Sequence, residues 1–289
     1  MNRIVEKVVN GVLLAVVAYF AIGVLRNMAS TGGVVAIFAA LSLFPFVLGP
    51  VLIHQTQRIS LKPALFPFDP DGPESPEELQ SHFDATAAEL GRLEFSPERY
   101  YRTRRAATNA DGSVLLFRNV KTWETARVLT AVGVSNTARI VTSFVVFGSE
   151  FADGTEVVTS NRASARIYPP RKPPYHGRAF PQVREVDRLL VVHRARVENL
   201  AAGRIAVDQV GVDPDGYIRR VDFEVPSAHH VACGYSYVDE MAGVQRMTWK
   251  GAILSTWKLL PPIKQIRLAW ERLMAARQLS NLKGGLPVG

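Results

Sequence analysis

The sequence predicts an α+β protein with a two-helix transmembrane hairpin, a soluble domain and a basic amphipathic C-terminal segment. Three observations predict this class: two long apolar runs near the N-terminus, a series of strand-length segments separated by turns, and tryptophans spaced among basic residues near the C-terminus. The 289 residues therefore divide into a hairpin (1–57), a Pro-rich linker (58–75), a cytoplasmic domain (76–243) and a basic amphipathic, membrane-interfacial segment (244–289).

Residues 4–25 and 34–53 form the two apolar runs, and the second contains no charged residue. A helix of about 20 apolar residues crosses the ~30 Å hydrocarbon core of a bilayer. A backbone surrounded by lipid must satisfy its own hydrogen bonds, which favours helices over irregular structure. Because the connecting loop is too short for a domain, the two runs are predicted to form an antiparallel pair of spans.

Two other interpretations of these runs remain open. Arg3 and Lys7 resemble the basic start of a signal peptide, although the apolar stretch is long and a second one follows at once. The pair is also compatible with buried helices of a soluble protein, although such helices usually carry a polar stripe, which these runs lack.

Basic residues outside the runs predict the orientation. Arg3 precedes the first run and Lys7 lies near its start, Arg58 and Lys62 follow the second, and the loop carries only Arg26. Cytoplasmic flanks carry an excess of Lys and Arg. We therefore expect an integral protein of a bacterial-type inner membrane, with two spans and both termini cytoplasmic.

The formal charge of +8 is concentrated at the two ends of the chain. Residues 1–62 contain five basic residues and one acidic residue, and residues 244–289 contain eight basic and one acidic, which leaves −3 for the middle. Basic ends flanking an acidic domain are typical of a protein held at anionic lipid headgroups. We therefore predict that the lipid bilayer is a partner. We predict no nucleic-acid partner, because binding its phosphates requires basic residues in the folded domain.

The middle segment predicts an antiparallel sheet with helices packed on one face. A helix is expected from the cap at Ser75 to Gly91, and another over 181–202 after a stiff basic Pro-rich loop at 169–178. Residues 205–212 and 217–225 are compatible with a second hairpin, or with a helix over 217–225. About five strands form the expected meander, at residues 100–108, 113–120, 125–132, 138–147 and 155–160, with a short edge strand at 165–168 and turns such as 109–112 between them.

The C-terminal segment combines apolar residues at helical spacing with basic flanks. Tryptophan rings settle at headgroup depth, and Lys and Arg bind anionic lipid. An ordinary terminal helix packed on the domain is the alternative. The predicted membrane-interface residues are Trp249, Lys250, Trp257, Lys258, Lys264, Arg267 and Trp270.

The candidate catalytic residues are His193, His229 and Cys233. His193 lies on the apolar face of a predicted helix, where a core histidine is the commoner explanation. His229 and Cys233 suggest a thiol–imidazole pair, which needs a base within reach of the thiol. Arg102 and Arg104 share a strand face and suggest an anion site, or simply a solvated face.

The sequence predicts no metal site and no cofactor. The adjacent histidines at 229 and 230 diverge by about 100° on a helix, and a zinc site would need further ligands nearby. The single cysteine excludes an internal disulfide, and the short phosphate-loop, dinucleotide, hydrolase and zincin motifs are absent.

These observations favour a non-enzymatic, membrane-anchored cytoplasmic binding or scaffold module that engages a protein partner or lipid at the bilayer surface. One alternative is an enzyme acting on a membrane-associated or anionic substrate, with His176 as a further candidate residue. The other is a small accessory subunit of a larger membrane complex.

Overall fold

The computed structural model describes Ile22 and residues 31–69, 77–107, 110–134, 139–162 and 168–283. The chain is α+β, with a mixed sheet and several helices. The helices are α1 (Thr31–Thr56), α2 (Glu77–Arg92), α3 (Val186–Ala201), α4 (Pro214–Ile218), a π-helix (Arg219–Glu224), α5 (Val225–Ala232), α6 (Trp249–Leu259) and α7 (Ile263–Lys283). The strands are β1 (Arg58–Ser60), β2 (Leu65–Pro67), β3 (Ser96–Ala107), β4 (Ala110–Arg118), β5 (Thr125–Val134), β6 (Arg139–Glu150), β7 (Glu156–Ser160), β8 (Tyr175–Ala179), β9 (Ser236–Asp239) and β10 (Val244–Met247).

The predicted antiparallel meander corresponds to β3–β7, which pair in sequence order. β4 begins earlier than predicted, because Ala110 already pairs with Ala107 and the strand includes Asp111 and Gly112. Gly112 fits there because a Cβ atom at this position would lie 2.9 Å from Thr103 Oγ1 on the neighbouring strand.

The sheet is larger than the predicted five strands, since short strands extend it at both ends. The strand order is β8-β7-β6-β5-β4-β3-β1-β10-β9, with β2 also paired to β3. β8 runs parallel to β7 and includes part of the segment predicted as a Pro-rich loop. The segment predicted as a linker contributes β1 and β2. Most residues of the edge strand expected at 165–168 lie outside the described residues.

Helices cover both faces of the sheet, so the prediction of helices on one face was wrong. Leu115 and Phe117 of β4 lie in a core with Phe83 of α2 and Leu189 of α3. The alternate β4 residues Val114 and Leu116 are also buried, against a second cluster around Tyr217 and Ile218 of α4. Because successive side chains of a strand point to opposite faces, apolar residues at consecutive positions require cover on both sides.

The segment after α3 contains helices where a hairpin was one of two expectations. Residues 217–225 are helical, as the alternative expected, and pass through α4, the π-helix and α5. Residues 205–212 form no regular strand, although Ala206 bridges Phe151. The helix predicted over 181–202 begins later, at Val186, because Pro181 and Gln182 form a turn.

Among the residues that the structure describes, no helix is both long enough and apolar enough to cross a membrane. The first predicted span lies outside the described residues apart from Ile22. The second predicted span falls within α1, which contains Pro45 and Pro50. The two-span hairpin therefore has no support from the structure.

Candidate functional site

α1 and α6 leave the sheet side by side. β1 follows α1, and β10 precedes α6. The two strands pair antiparallel, with Arg58 opposite Arg246. Both helices therefore extend from the same end of this strand pair, and α1 packs against α6.

The contact between α1 and α6 is close because its residues are small. Gly49 of α1 faces Thr256 of α6, and a Cβ atom at position 49 would lie only 2.5 Å from Thr256 Cγ2. The buried residues of α6 are Gly251, Ala252, Ser255 and Thr256. Small residues at such spacing let two helix backbones approach closely, as they do between helices in membranes.

A second contact lies where both helices meet the sheet. His54 of α1 is buried, and its Nδ1 atom lies 2.8 Å from the Met247 carbonyl oxygen. The His54 ring stacks on Trp249, with centroids 4.2 Å apart. Since His54 pairs with the start of α6 and Gly49 with its later part, the two helices run antiparallel.

The helices around this contact expose apolar side chains, which we call the apolar surface. On α7, Ile266, Trp270 and Leu273 are 64%, 58% and 51% exposed and recur along one helix face. Large exposed apolar patches on soluble monomers usually mark interaction sites. The other members of the apolar surface are Phe44, Val47 and Leu52 of α1 and Ile253, Trp257 and Leu259 of α6.

The later part of α7 packs on the domain, as the alternative for this segment expected. Ala275 is fully buried in the core beside α3, and Leu279 packs against the same core. α7 therefore has two functions in the fold: its C-terminal half holds the helix on the domain, and its N-terminal half presents apolar residues.

The predicted membrane-interface residues occupy different environments. Trp257 and Trp270 are exposed, whereas Trp249 is half-buried against His54. Lys264 is exposed, and the predicted interface role of the seven residues stays a prediction.

The other basic members of this set make contacts within the chain. Lys250 Nζ donates to the Cys233 carbonyl oxygen at 2.9 Å, and Lys258 Nζ donates to the Tyr235 hydroxyl at 2.8 Å. Arg267 lies 3.8 Å from Glu271.

His193 is a core histidine. Its Nε2 and Nδ1 atoms lie 3.0 Å from Ser149 Oγ and 3.0 Å from Thr159 Oγ1. Burial, together with Arg196 and Arg194, lowers the pKa of His193 to about 3. The ring is therefore neutral and bridges two strands beneath α3.

His229 and Cys233 come together one turn apart on α5 and the turn that follows. The Cys233 Sγ atom lies 3.7 Å from His229 Nε2 and 3.8 Å from Nδ1. His229 Nε2 also lies 3.0 Å from the Pro169 carbonyl oxygen. A carbonyl oxygen can only accept, so the Nε2–H group is the donor in this hydrogen bond. A backbone carbonyl can orient the ring, but it lacks the negative charge with which the carboxylate of a catalytic triad stabilises the imidazolium.

The neighbouring His230 stacks on Tyr168, with ring centroids 3.4 Å apart. Burial and the nearby His229 lower the pKa of His230 to about 4. Within the described part of the chain, no group of three or more His, Cys, Asp or Glu residues is placed to hold a metal ion.

The candidate catalytic and anion-binding residues do not converge. His193 contacts Ser149 and Thr159 of the sheet beneath α3, whereas His229 and Cys233 lie on α5 and at its C-terminal end. Arg102 lies on β3, half-buried, with Phe66 and Ser113 as its register neighbours. Arg104 also belongs to β3, but its side chain lies outside the described residues. The His176 backbone carbonyl oxygen accepts a hydrogen bond from Arg196.

A small cavity near β1 and β10 contains none of these candidates. Its lining residues are Gln57, Ile59, Tyr168, Ser236, Gln245, Arg246 and Met247. The polar lining residue Gln245 is buried and already bonded to Ser227 and Ser236. The cavity therefore offers no free polar group from Gln245 for a ligand.

Sequence reasoning missed a layer of ion pairs between the sheet and the helices around the π-helix. Arg127 of β5 is buried and pairs with Asp222 of the π-helix. Arg220 of the π-helix pairs with Glu150. A charged residue between the apolar Ala126 and Val128 was the available indication for Arg127, but its partner is remote in sequence.

No known protein family model, curated protein or solved structure matches this chain.

Proposed function

We propose that this protein is a membrane-anchored cytoplasmic binding module that engages anionic lipid at the bilayer surface. The observation that carries the proposal is the exposed apolar stripe of α7, formed by Ile266, Trp270 and Leu273, on a helix that also carries exposed basic residues. An apolar helix face beside Lys and Arg has the chemistry of the membrane interface.

The charge balance of α6 and α7 favours an anionic lipid surface over a basic or neutral partner. Residues 249–283 contain seven basic residues and one acidic residue. Each basic residue near an anionic membrane surface contributes roughly 1 kcal/mol of attraction. A few such residues, combined with exposed Trp257 and Trp270, are sufficient for stable contact with a surface to which the chain is already tethered.

The two N-terminal apolar runs are the proposed anchor. Residues 34–53 overlap α1, whose exposed Phe44, Val47 and Leu52 belong to the apolar surface. With Arg3 and Lys7 at the N-terminal end of the first run and Arg58 and Lys62 after the second, both termini are proposed to be cytoplasmic.

Cell fractionation tests the anchor. The full chain is expected to stay in the membrane pellet after washing with high salt and with alkaline carbonate, because apolar insertion does not depend on charge. Recovery of the chain in the soluble fraction before any wash contradicts the proposal. Release by high salt alone would show a peripheral protein and contradict the two spans.

Thiol labelling tests the orientation. Met241 is fully exposed in the turn between β9 and β10, so Met241→Cys in a Cys233→Ser background gives one accessible thiol. A membrane-impermeant maleimide should label it in inverted vesicles and not in sealed right-side-out vesicles. Cys233→Ser alone is the matched control and should stay unlabelled. Labelling only in right-side-out vesicles would place the domain on the other side.

A further inference from the structure

We propose that the tip of the α6–α7 hairpin, residues 259–266, inserts into the same leaflet that α1 enters. This inference rests on the proposed membrane anchor and adds a second point of insertion. It differs from helices lying flat on the surface, because the tip points away from the sheet along α1.

α6 extends away from the sheet beside α1. The His54–Trp249 stack lies next to the sheet, whereas the Gly49–Thr256 contact lies further along both helices. With a rise of 1.5 Å per residue, the seven residues from Trp249 to Thr256 extend about 10 Å from the sheet. α6 therefore accompanies α1 outward, and a bilayer that receives the end of α1 also meets the end of α6.

The tip is rich in apolar residues. Leu259, Leu260, Pro261, Pro262 and Ile263 form an uncharged connection between the helices. Leu259 and Ile266 are exposed although both are large and apolar. Inserting such side chains removes roughly 25 cal/mol of unfavourable hydration for each Å² of apolar surface covered.

Two lysines of α6, Lys258 and Lys250, both contact Tyr235. Lys258 lies near the end of α6, yet its Nζ atom reaches back to the Tyr235 hydroxyl at 2.8 Å. Lys250, two turns earlier, lies over the same Tyr235 ring at 5.8 Å. Long basic side chains behave in this way when their stems lie in an apolar layer and their charges stay at its edge.

The occupant of this surface is an anionic bilayer, because exposed basic residues lie in the tip and beside it. Lys264 and Arg272 are exposed on α7, on either side of Trp270 in the sequence. Tryptophan at this position matches the headgroup depth at which such rings settle. The apolar side chains of the tip would then lie below the headgroups, and the exposed basic residues, including Lys264 at the start of α7, would lie among them.

The test uses the full chain, purified and reconstituted at low protein density in vesicles of phosphatidylcholine and phosphatidylglycerol. Leu259→Cys and Ile266→Cys, each in a Cys233→Ser background, carry an environment-sensitive fluorophore. We expect a blue-shifted emission and loss of most of the fluorescence when the lipids carry a nitroxide on their acyl chains. Matched controls are Ser280→Cys, exposed on the same helix α7, and Val212→Cys, exposed on the domain. Both controls should keep their fluorescence.

Two results overturn the inference while the anchor stands. One is quenching at positions 259 and 266 that does not exceed quenching at position 280, although the protein floats with the vesicles. The other is protection of 259 and 266 from soluble maleimide without quenching by nitroxide lipid, which would show that another copy of the chain covers the tip. Failure of the protein to float at all instead contradicts the proposed function, and the inference fails with it.

Native tryptophans give an independent measurement that needs no cysteine. Brominated lipids should quench the wild-type chain more than Trp257→Phe/Trp270→Phe, because those two rings are exposed near the tip. Equal fractional quenching of the two proteins would overturn the inference. A control with bromine near the bilayer centre should quench less than one with bromine near the headgroups.

Discussion

His193 is a fully buried histidine whose two ring nitrogens face the hydroxyl groups of Ser149 and Thr159. A neutral imidazole has one donor and one acceptor, and a hydroxyl group can complement either of them. Arg196 also donates to Thr159 and to the Val158 carbonyl oxygen, so the histidine lies beside a buried cation. Burial disfavours the charged form of the ring, and Arg196 and Arg194 add like charges nearby, which is why the pKa of His193 is low.

The buried His193 predicts a loss of stability in mild acid. The ordinary pKa of a histidine side chain is 6.5, and the pKa of His193 in the folded protein is about 3. The unfolded chain therefore takes up the proton first, and stability falls as the pH drops below about 6.5, by up to ~1.4 kcal/mol per unit for this group. Between pH 7 and pH 5 the free energy of unfolding should fall by about 2 kcal/mol more in the wild type than in His193→Gln.

Chemical denaturation at the two pH values, followed by circular dichroism, measures this difference. His230 also has a lowered pKa, of about 4, so it contributes in the same direction. His230→Gln and the double variant separate the two contributions. Equal pH dependence in the wild type and His193→Gln would show that the ring does not resist protonation.

At the scale of elements, the π-helix joins α4 to α5 without a break. Its wider turn is seen at Val225, whose N–H bonds to the carbonyl of Arg220, five residues earlier. Asp222 of this turn pairs with Arg127, and Tyr217 of α4 lies 2.9 Å from Thr125 Oγ1. π-helical turns are uncommon and frequently occur at functional sites. Here the turn accompanies a buried ion pair.

The Arg127–Asp222 pair predicts strong destabilisation when one partner is removed. Asp222→Asn leaves the Arg127 guanidinium buried without its counter-charge, which should cost about 3–5 kcal/mol of unfolding free energy. Arg127→Met combined with Asp222→Leu removes both charges and should cost less than Asp222→Asn. Chemical denaturation measures all three proteins. Lys121→Gln, which breaks an exposed pair with Glu94, is the control and should leave the denaturation midpoint unchanged. A double variant less stable than Asp222→Asn would contradict this account.

The elements found from the sequence are those with a strong local pattern. β3–β7 alternate or run apolar over several residues, and Gly and Asp mark the turns between them. β1, β2, β9 and β10 are three or four residues long, and β1 pairs with β10 across most of the chain. A π-helix has no sequence pattern of its own. These parts are determined by tertiary contacts, which a local pattern does not contain.

The candidate surface was found from the sequence only in part, for a related reason. Tryptophan and Lys/Arg at helical spacing indicated α6 and α7, because these helices could be predicted from their own residues alone. Composition did not indicate that Trp249 would stack on His54, or that Ala275 would be buried beside α3. Both contacts join residues far apart in the chain, and they decide which side chains remain exposed.

At the scale of the whole molecule, the N-terminal and C-terminal segments meet at one end of the sheet. α1 and α6 contact each other through Gly49 and Thr256, and their strands β1 and β10 pair directly. α7 then returns from the tip to the core beside α3. The proposed anchor, the proposed insertion tip and the domain are therefore connected by packing as well as by the chain. A substitution in the α1–α6 contact should therefore affect the anchor, the tip and the domain.

The contact predicts that Gly49 and Thr256 are energetically coupled. Gly49→Ala places a Cβ atom 2.5 Å from Thr256 Cγ2, so the helices must separate, at a cost of about 1–3 kcal/mol for overpacking. Thr256→Ala removes the obstructing methyl group, so the double variant should be more stable than Gly49→Ala alone. Thermal unfolding in a mild detergent compares the four proteins as a double-mutant cycle.

Gly91→Ala is the matched control for this cycle. It lies in α2, where an added Cβ atom would meet nothing within 4 Å. Alanine is favoured over glycine within a helix by roughly 1 kcal/mol, so this substitution should leave stability unchanged or raise it. Additive effects of Gly49→Ala and Thr256→Ala would mean that the two residues do not touch. The hairpin tip would then have no fixed direction relative to α1, because this contact and the His54–Trp249 stack are what hold α6 alongside it.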